Sequence, residues 1–255
     1  MVKTRVMPTL LYKDMGLVKG VGFNSWRRTG SALQAIKVYN MRGVDELVFV
    51  DISASQAGRP PDFALIDDLA DECFMPMTVG GGVKTVDDIG KLLSVGADKV
   101  AVNSHAIADP SLIANGAKNF GAQCIVVSID AVRNANGSYE VKSFSGTRGT
   151  ELDPVTWAKQ AEQLGAGEIL LTSIDRDGTF SGYDIQLTKA VSNAVGIPVI
   201  ASGGAGNYQH MAEVLRETTA SAIAAASIFH FTEQTPMEAK RHLAAQGFNV
   251  RLPSA

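Results

Sequence analysis

Glu46-Leu-Val-Phe-Val aligns with Glu168-Ile-Leu-Leu-Thr, and at the same offset Pro76…Gly81-Gly82 aligns with Pro198…Gly203-Gly204. A shared offset makes chance a poor explanation and divides the chain into two similar halves. Within each half, short β-branched apolar runs alternate with longer helical patterns. The runs are 5–11, 46–52, 76–80, 99–103, 124–130, 168–174, 198–202 and 222–227, the last mostly alanine. Near-continuous apolar runs suit parallel strands covered on both faces. The segments between them carry helical spacing, as in Val86, Ile89, Leu92 and Leu93. Thr85 with Asp88 forms a capping box, and Asp109-Pro110 and Asp153-Pro154 each supply an N-cap and a first-turn proline. This alternation over 255 residues predicts a (β/α)8 TIM barrel with a half-barrel repeat. A doubly wound open sheet is the competing fold, but two halves of four βα units close a barrel naturally. Residues 1–255 read as one barrel domain without a linker. Residues 132–150 lengthen the fifth connection, where Asn136-Gly137 predicts a small hairpin.

Charge excludes some partners. Lys and Arg number 23 against 26 Asp and Glu, a net charge of −3, so nothing recommends nucleic acid or an anionic membrane. No stretch approaches the roughly 18 apolar residues of a membrane span, and the N-terminus lacks a secretory apolar core; a cytoplasmic protein is expected. Cys73 and Cys124 lie in apolar runs and read as buried thiols. The four histidines, His105, His210, His230 and His242, show no metal spacing, and no cofactor is implied.

In such a barrel the chemistry belongs at the C-terminal ends of the strands. Glycine clusters follow strands three and seven, at Gly80-Gly81-Gly82 and Gly203-Gly204-Ala205-Gly206. Each is followed one unit later by small residues at a strand end, Asn103-Ser104 and Ala226-Ser227. Glycines admit backbone N–H groups to an anion, so two repeat-related phosphate sites are expected, and a substrate phosphorylated at both ends. Asp177-Gly178 would join the second site, and Thr172 and Ser202 close strands beside it. Asp130 ends an otherwise apolar run and is the leading candidate for general acid or base. Asp51 is a candidate of the same kind, or a cap for its turn. Lys19, with Arg27 and Arg28, lies in a long first loop (12–30) suited to a lid over phosphates or to plain solvation. At the opposite face Arg5, Glu46, Lys99 and Glu168 start strands with alternating sign. They suit a gate or docking ring, or four unrelated charges.

Taken together, VDELVFVDISAS, TVGGGVKTVDD, GADKVAVN, GAQCIVVSIDA and IPVIASGGAGN resemble the cyclase subunit of imidazole glycerol phosphate synthase across essentially the whole chain. The resemblance implies a barrel that takes ammonia from a glutaminase partner, as a heterodimer, and delivers it to a bis-phosphorylated ribonucleotide. The products would be imidazole glycerol phosphate and an aminoimidazole carboxamide ribotide. It implies that Asp130 is one of two catalytic aspartates and Lys19 the first-loop lysine. Gly82, Asn103 and Ser104, and Gly178, Gly204, Ala226 and Ser227, would match the phosphate sites. Arg5, Glu46, Lys99 and Glu168 would match the ammonia gate, and Asp98 and Gln123 the glutaminase-facing surface.

One position departs from that pattern. Where the cyclase pattern reads Pro-Cys-Leu-Asp, this chain reads Pro8-Thr-Leu-Leu11, and the second catalytic aspartate is a leucine. A leucine transfers no proton, which argues against full cyclase activity and against the sister aldose isomerase as well. Leu11, Gly16-Leu-Val-Lys19, Glu72-Cys-Phe-Met-Pro76 and Gly146-Thr-Arg148 look like a paralogous branch linked to acetamidino sugars of surface polysaccharide, whereas Thr78-Val-Gly-Gly-Gly82 looks like the histidine enzyme. The preferred expectation is therefore an ammonia-conducting synthase subunit serving a third protein, a sugar amidotransferase. The histidine cyclase and a non-catalytic channel or scaffold are the alternatives.

Overall fold

The computed structural model describes residues 3–252. Its strands are β1 (Arg5–Lys13), β2 (Gly16–Val21), β3 (Asn24–Gly30), β4 (Leu47–Asp51), β5 (Met77–Gly80), β6 (Lys99–Val102), β7 (Ile125–Arg133), β8 (Tyr139–Ser143), β9 (Arg148–Gly149), β10 (Glu168–Ser173), β11 (Val199–Ser202) and β12 (Ala222–Ala225). Strands β1, β4, β5, β6, β7, β10, β11 and β12 pair in parallel in that order, and β12 returns to β1 to close a barrel. All eight coincide with the apolar runs of the sequence. The helices are α1 (Ala32–Met41), α2 (Phe63–Ala70), α3 (Val86–Ser94), α4 (Ser104–Ala108), α5 (Ser111–Phe120), α6 (Pro154–Gln163), α7 (Ile185–Ser192), α8 (Tyr208–Glu217), α9 (Ser227–Phe231) and α10 (Pro236–Ala245). This is the (β/α)8 barrel.

Helix starts follow local chemistry. The Thr85–Asp88 box caps α3, and the Asp153 side chain accepts from Thr156 N–H ahead of Pro154. At α5 the start differs by one residue. Pro110 occupies the cap itself, and the Asp109 carboxylate accepts from Ser111 N–H at 3.0 Å.

The strands alternate inward and outward residues. Outward residues such as Val6, Leu10, Phe49 and Val79 pack under the helices. Inward ones such as Met7, Val48, Ala101, Val126, Leu170, Ile200 and Ala224 fill the barrel. Trp157 on α6 is fully buried in the outer core, which is helix packing. Lys240 on α10 is also buried. Its ammonium donates to the Gly43 carbonyl at 2.6 Å and to Asp45 at 2.9 Å, while Asp45 accepts from Val6 N–H at 3.0 Å. That buried pair ties the last helix to the first strand.

Two connections add strands. The 132–150 segment is the expected hairpin, β7 continuing to Arg133 and returning as β8, with Gly137 at φ 86° in the turn. The first connection is not a loop. Residues 16–30 form the antiparallel pair β2–β3, which also pairs with β1, Leu11 opposite Val18. A turn at Asp14 and Met15, both at positive φ, folds β2 back onto β1 and accounts for it. Cys73 and Cys124 are half-buried rather than buried, each lying next to a turn at a strand's base.

Candidate functional site

Strand parity brings the polar residues together. The C-terminal ends of the strands surround a cavity open to solvent. It is lined by Gly82, Asn103, Ser104, Asp130, Thr172, Asp177, Gly178, Ser202, Gly203, Gly204, Ala226 and Ser227, all expected from the sequence. Leu11 and Asp51 line it too.

The two glycine clusters frame opposite sides. Gly82 N–H donates to Ser55 Oγ at 3.2 Å, and Phe144 N–H donates to Ser104 Oγ at 2.8 Å. On the other side Gly178 and Gly204 have φ of +73° and +104°. A side chain at Gly178 would collide with the Gly20 carbonyl, so this glycine lets the β2–β3 hairpin lie against the turn after β10. Gly22 N–H donates to the Asp177 carbonyl at 2.9 Å and fixes that contact.

Lys19 is thereby buried beside the cavity. Burial pushes its ammonium down to about 8, while the nearby Asp177 opposes the shift. Burial raises Asp177 in turn, and Lys19 opposes it. Asp130 is buried at the end of the cavity. Burial first, and then the charge of Asp177, push its carboxyl up to about 7, against hydrogen bonds from Asn103 and Ser128. Asn103 Nδ2 donates to Asp130 Oδ2 at 2.7 Å. A carboxyl that changes charge near neutrality suits proton transfer in either direction.

That shift has a consequence for stability. The folded carboxyl holds its proton up to about pH 7, against an ordinary value of 3.8. Folding therefore favours the protonated form, a contribution complete below about pH 4 and lost as pH rises through 7. Asparagine carries no charge to bury. Asp130→Asn is expected to be about 2–4 kcal/mol more stable than the parent at pH 8 and nearly equal to it at pH 4. Calorimetric Tm values across that range check this; a difference that does not change with pH would refute it.

Asp51 has a different task from Asp130. Its Oδ1 accepts from Ser53 N–H, Ser53 Oγ and Ala54 N–H at 2.9, 2.7 and 3.1 Å, and Oδ2 faces Arg59 at 3.3 Å. These bonds cap the turn after β4. Residues missed by the sequence reading also line the cavity: Thr9, Phe23, Trp26, Ser55, Ser128 and Ser145. Inward parity on β1 and β7 would have found Thr9 and Ser128. Ser55 and Ser145 lie on loops, where no periodicity marks them.

At the base, Glu46 and Glu168 are buried between Arg5 and Lys99. Arg5 bonds both glutamates, one at 2.7 Å to Glu46, and Lys99 reaches Glu46 at 2.8 Å and Glu168 at 3.0 Å. The four strand-start charges thus form a closed ring of alternating sign. Burial alone would raise Glu46, but Lys99 and Arg5 outweigh it and hold the carboxyl low. Asp98 and Gln123 are exposed at the same end. Among the described residues no group of His, Cys, Asp and Glu gathers to hold a metal, and no helix is long and apolar enough to cross a membrane.

Comparison with known proteins bears on this geometry. A model of the family described as histidine biosynthesis protein matches residues 5–235. The chain belongs to that family. Two curated relatives are both named imidazole glycerol phosphate synthase subunit HisF, from two strains of Caulobacter vibrioides. Each is 51% identical over 253 residues, covering 99% of this chain and 97% of the relative. In this family member the cavity combines the buried carboxyls of Asp130 and Asp177, a buried lysine beside them and two glycine clusters. The wall at Leu11 is apolar.

Proposed function

We propose that this chain is the cyclase-type subunit of a glutamine amidotransferase, a lyase acting on a ribonucleotide phosphorylated at both ends. The observation that carries the reading is Asp130, set between two repeat-related anion cradles in a chain so similar to HisF. Gly82 with Ser104, and Gly178 with Gly204, Ala226 and Ser227, would hold the two phosphates through backbone N–H groups and hydroxyls. Lys19 would neutralise charge from above. Asp130 would take and return the protons of ring closure, held in place by Asn103. Ammonia would enter through the ring of Arg5, Glu46, Lys99 and Glu168 from a glutaminase docked at the base. Exposed Phe74 and Met41, 83% and 81% accessible, would give that face apolar anchors. The products would be imidazole glycerol phosphate and aminoimidazole carboxamide ribotide.

Leu11 favours a second reading, in which the barrel passes ammonia to a third protein that makes acetamidino sugars. The histidine reading stands first because the named relatives support it along the whole chain. Purified protein with the bis-phosphorylated ribonucleotide and excess ammonium salt separates the two. Turnover to both products is the expected result. Binding of the ribonucleotide without turnover would overturn the first reading in favour of the second.

A further inference from the structure

The half-barrel repeat sets the same bonds behind both glycine clusters. By the offset that matches Gly81-Gly82 to Gly203-Gly204, Lys84 corresponds to Gly206, Thr85 to Asn207 and Asp88 to His210. The residue types differ at all three positions, yet the bonds recur. Thr85 Oγ1 accepts from Asp88 N–H at 3.1 Å, and Asn207 Oδ1 from His210 N–H at 3.0 Å. Asp88 Oδ2 accepts in turn from Lys84 N–H at 3.0 Å, and His210 Nδ1 from Gly206 N–H at 3.2 Å.

The first pair of bonds caps a helix. The second pair has another task. Lys84 and Gly206 each precede the cap residue, so their N–H groups are not among those that a helix start leaves open. Asp88 also accepts from the cap residue itself, Thr85 N–H at 2.9 Å, and so closes a capping box. The His210 ring accepts from the loop residue instead. Accepting at Nδ1 requires that nitrogen to be bare, which puts the proton of the neutral ring on Nε2. Asn207 Nδ2 lies 3.3 Å from Nε2, but Asn207 is exposed and its amide is open to water.

The loop held in this way is the second cradle. Gly203, Gly204 and Ala205 line the cavity, and Gly206 follows them. The Gly206 carbonyl accepts from Gln234 Nε2 at 3.3 Å, so both of its backbone groups are held. The Gly204 carbonyl accepts from Gly182 N–H at 2.8 Å, and a side chain at Gly206 would collide with the Phe180 carbonyl. A Cβ at Gly182 would stand 3.7 Å from the His210 ring. The imidazole thus braces the glycine cluster after β11 and the turn after β10 together.

We propose that His210 is a positioning residue for the second phosphate cradle: by holding Gly206 it fixes the backbone of Gly203, Gly204 and Ala205 without touching the substrate. The proposal rests on the functional reading above. A cradle that grips its phosphate equally before and during the reaction affects KM and leaves kcat alone.

His210→Ala removes the acceptor and keeps the Asn207 cap. His210→Asn returns an amide oxygen close to the place of Nδ1. Turnover is measured with the ribonucleotide varied and ammonium salt saturating. His210→Ala is expected to raise the KM about tenfold, the worth of one hydrogen bond, with kcat within about twofold of the parent. His210→Asn is expected to recover most of that loss, which also separates the bond from any general damage to the fold. A KM unchanged within about twofold in His210→Ala, a fall in kcat without a rise in KM, or His210→Asn as impaired as His210→Ala would overturn the proposal. If the parent shows no turnover, the functional reading falls by itself, and calorimetric titration with the ribonucleotide decides the proposal through the same weakening and recovery. A parent that neither turns over nor binds the ribonucleotide overturns both.

Discussion

Asp130→Asn is expected to lower turnover of the bis-phosphorylated ribonucleotide by about 10²–10⁴-fold in an assay with saturating ammonium salt. The size follows from what remains when the carboxyl is lost. Lys19 is buried, with an ammonium lowered to about 8, and it stands among the residues that would meet phosphate. Asp177 is tied electrostatically to that lysine. Asp51 is occupied by its own turn. Asp177, the other cavity carboxylate that burial raises, has Lys19 opposing that shift. Asparagine keeps the shape and can still accept from Asn103, so ribonucleotide binding should change little while kcat falls. A variant that retained most of the parent kcat would remove Asp130 from the proton path and move the search to Asp177.

Leu11→Asp is expected to raise the same turnover by about 10²-fold or more, within the range one acid or base contributes. Leu11 points inward above Thr9 and lines the cavity, so a carboxylate there would face the one on β7 across the mouth. Position 11 is half-exposed, which leaves an introduced aspartate access to water and an ionisation close to normal. The gain depends on the substrate being the ribonucleotide. If turnover stays flat while the variant folds and binds the substrate, the leucine belongs to different chemistry, and the acetamidino-sugar reading takes precedence.

The barrel was legible because parallel strands buried on both faces show as apolar runs, and the half-repeat fixed their number. The second repeat-related cradle was legible for the same reason: Gly203-Gly204 echoes Gly81-Gly82. The charged ring was visible only as four strand starts. Sequence spacing cannot say that Arg5 and Lys99 each reach both glutamates, because that depends on strand order and tilt. The first connection was misjudged for a different reason. Lys19, Arg27 and Arg28 carry charge that resembles a solvated loop, yet the pairing of Leu11 with Val18 turns the segment into sheet. The cavity serines on loops have no periodic context. They are placed by contacts distant in sequence, such as Ser145 Oγ donating to the Ile52 carbonyl at 2.6 Å.

The β2–β3 hairpin also bears on how this chain can change over generations. Loops on barrel surfaces ordinarily tolerate gained or lost residues. This one is registered against β1, and side chains on a strand alternate faces at every step. One extra residue between Leu11 and Lys19 would turn the lysine away from the mouth unless a compensating bulge absorbed it. Variation in length should therefore gather at the Val21–Asn24 tip and beyond Gly30, leaving the arm that carries Lys19 as invariant in length as a barrel strand.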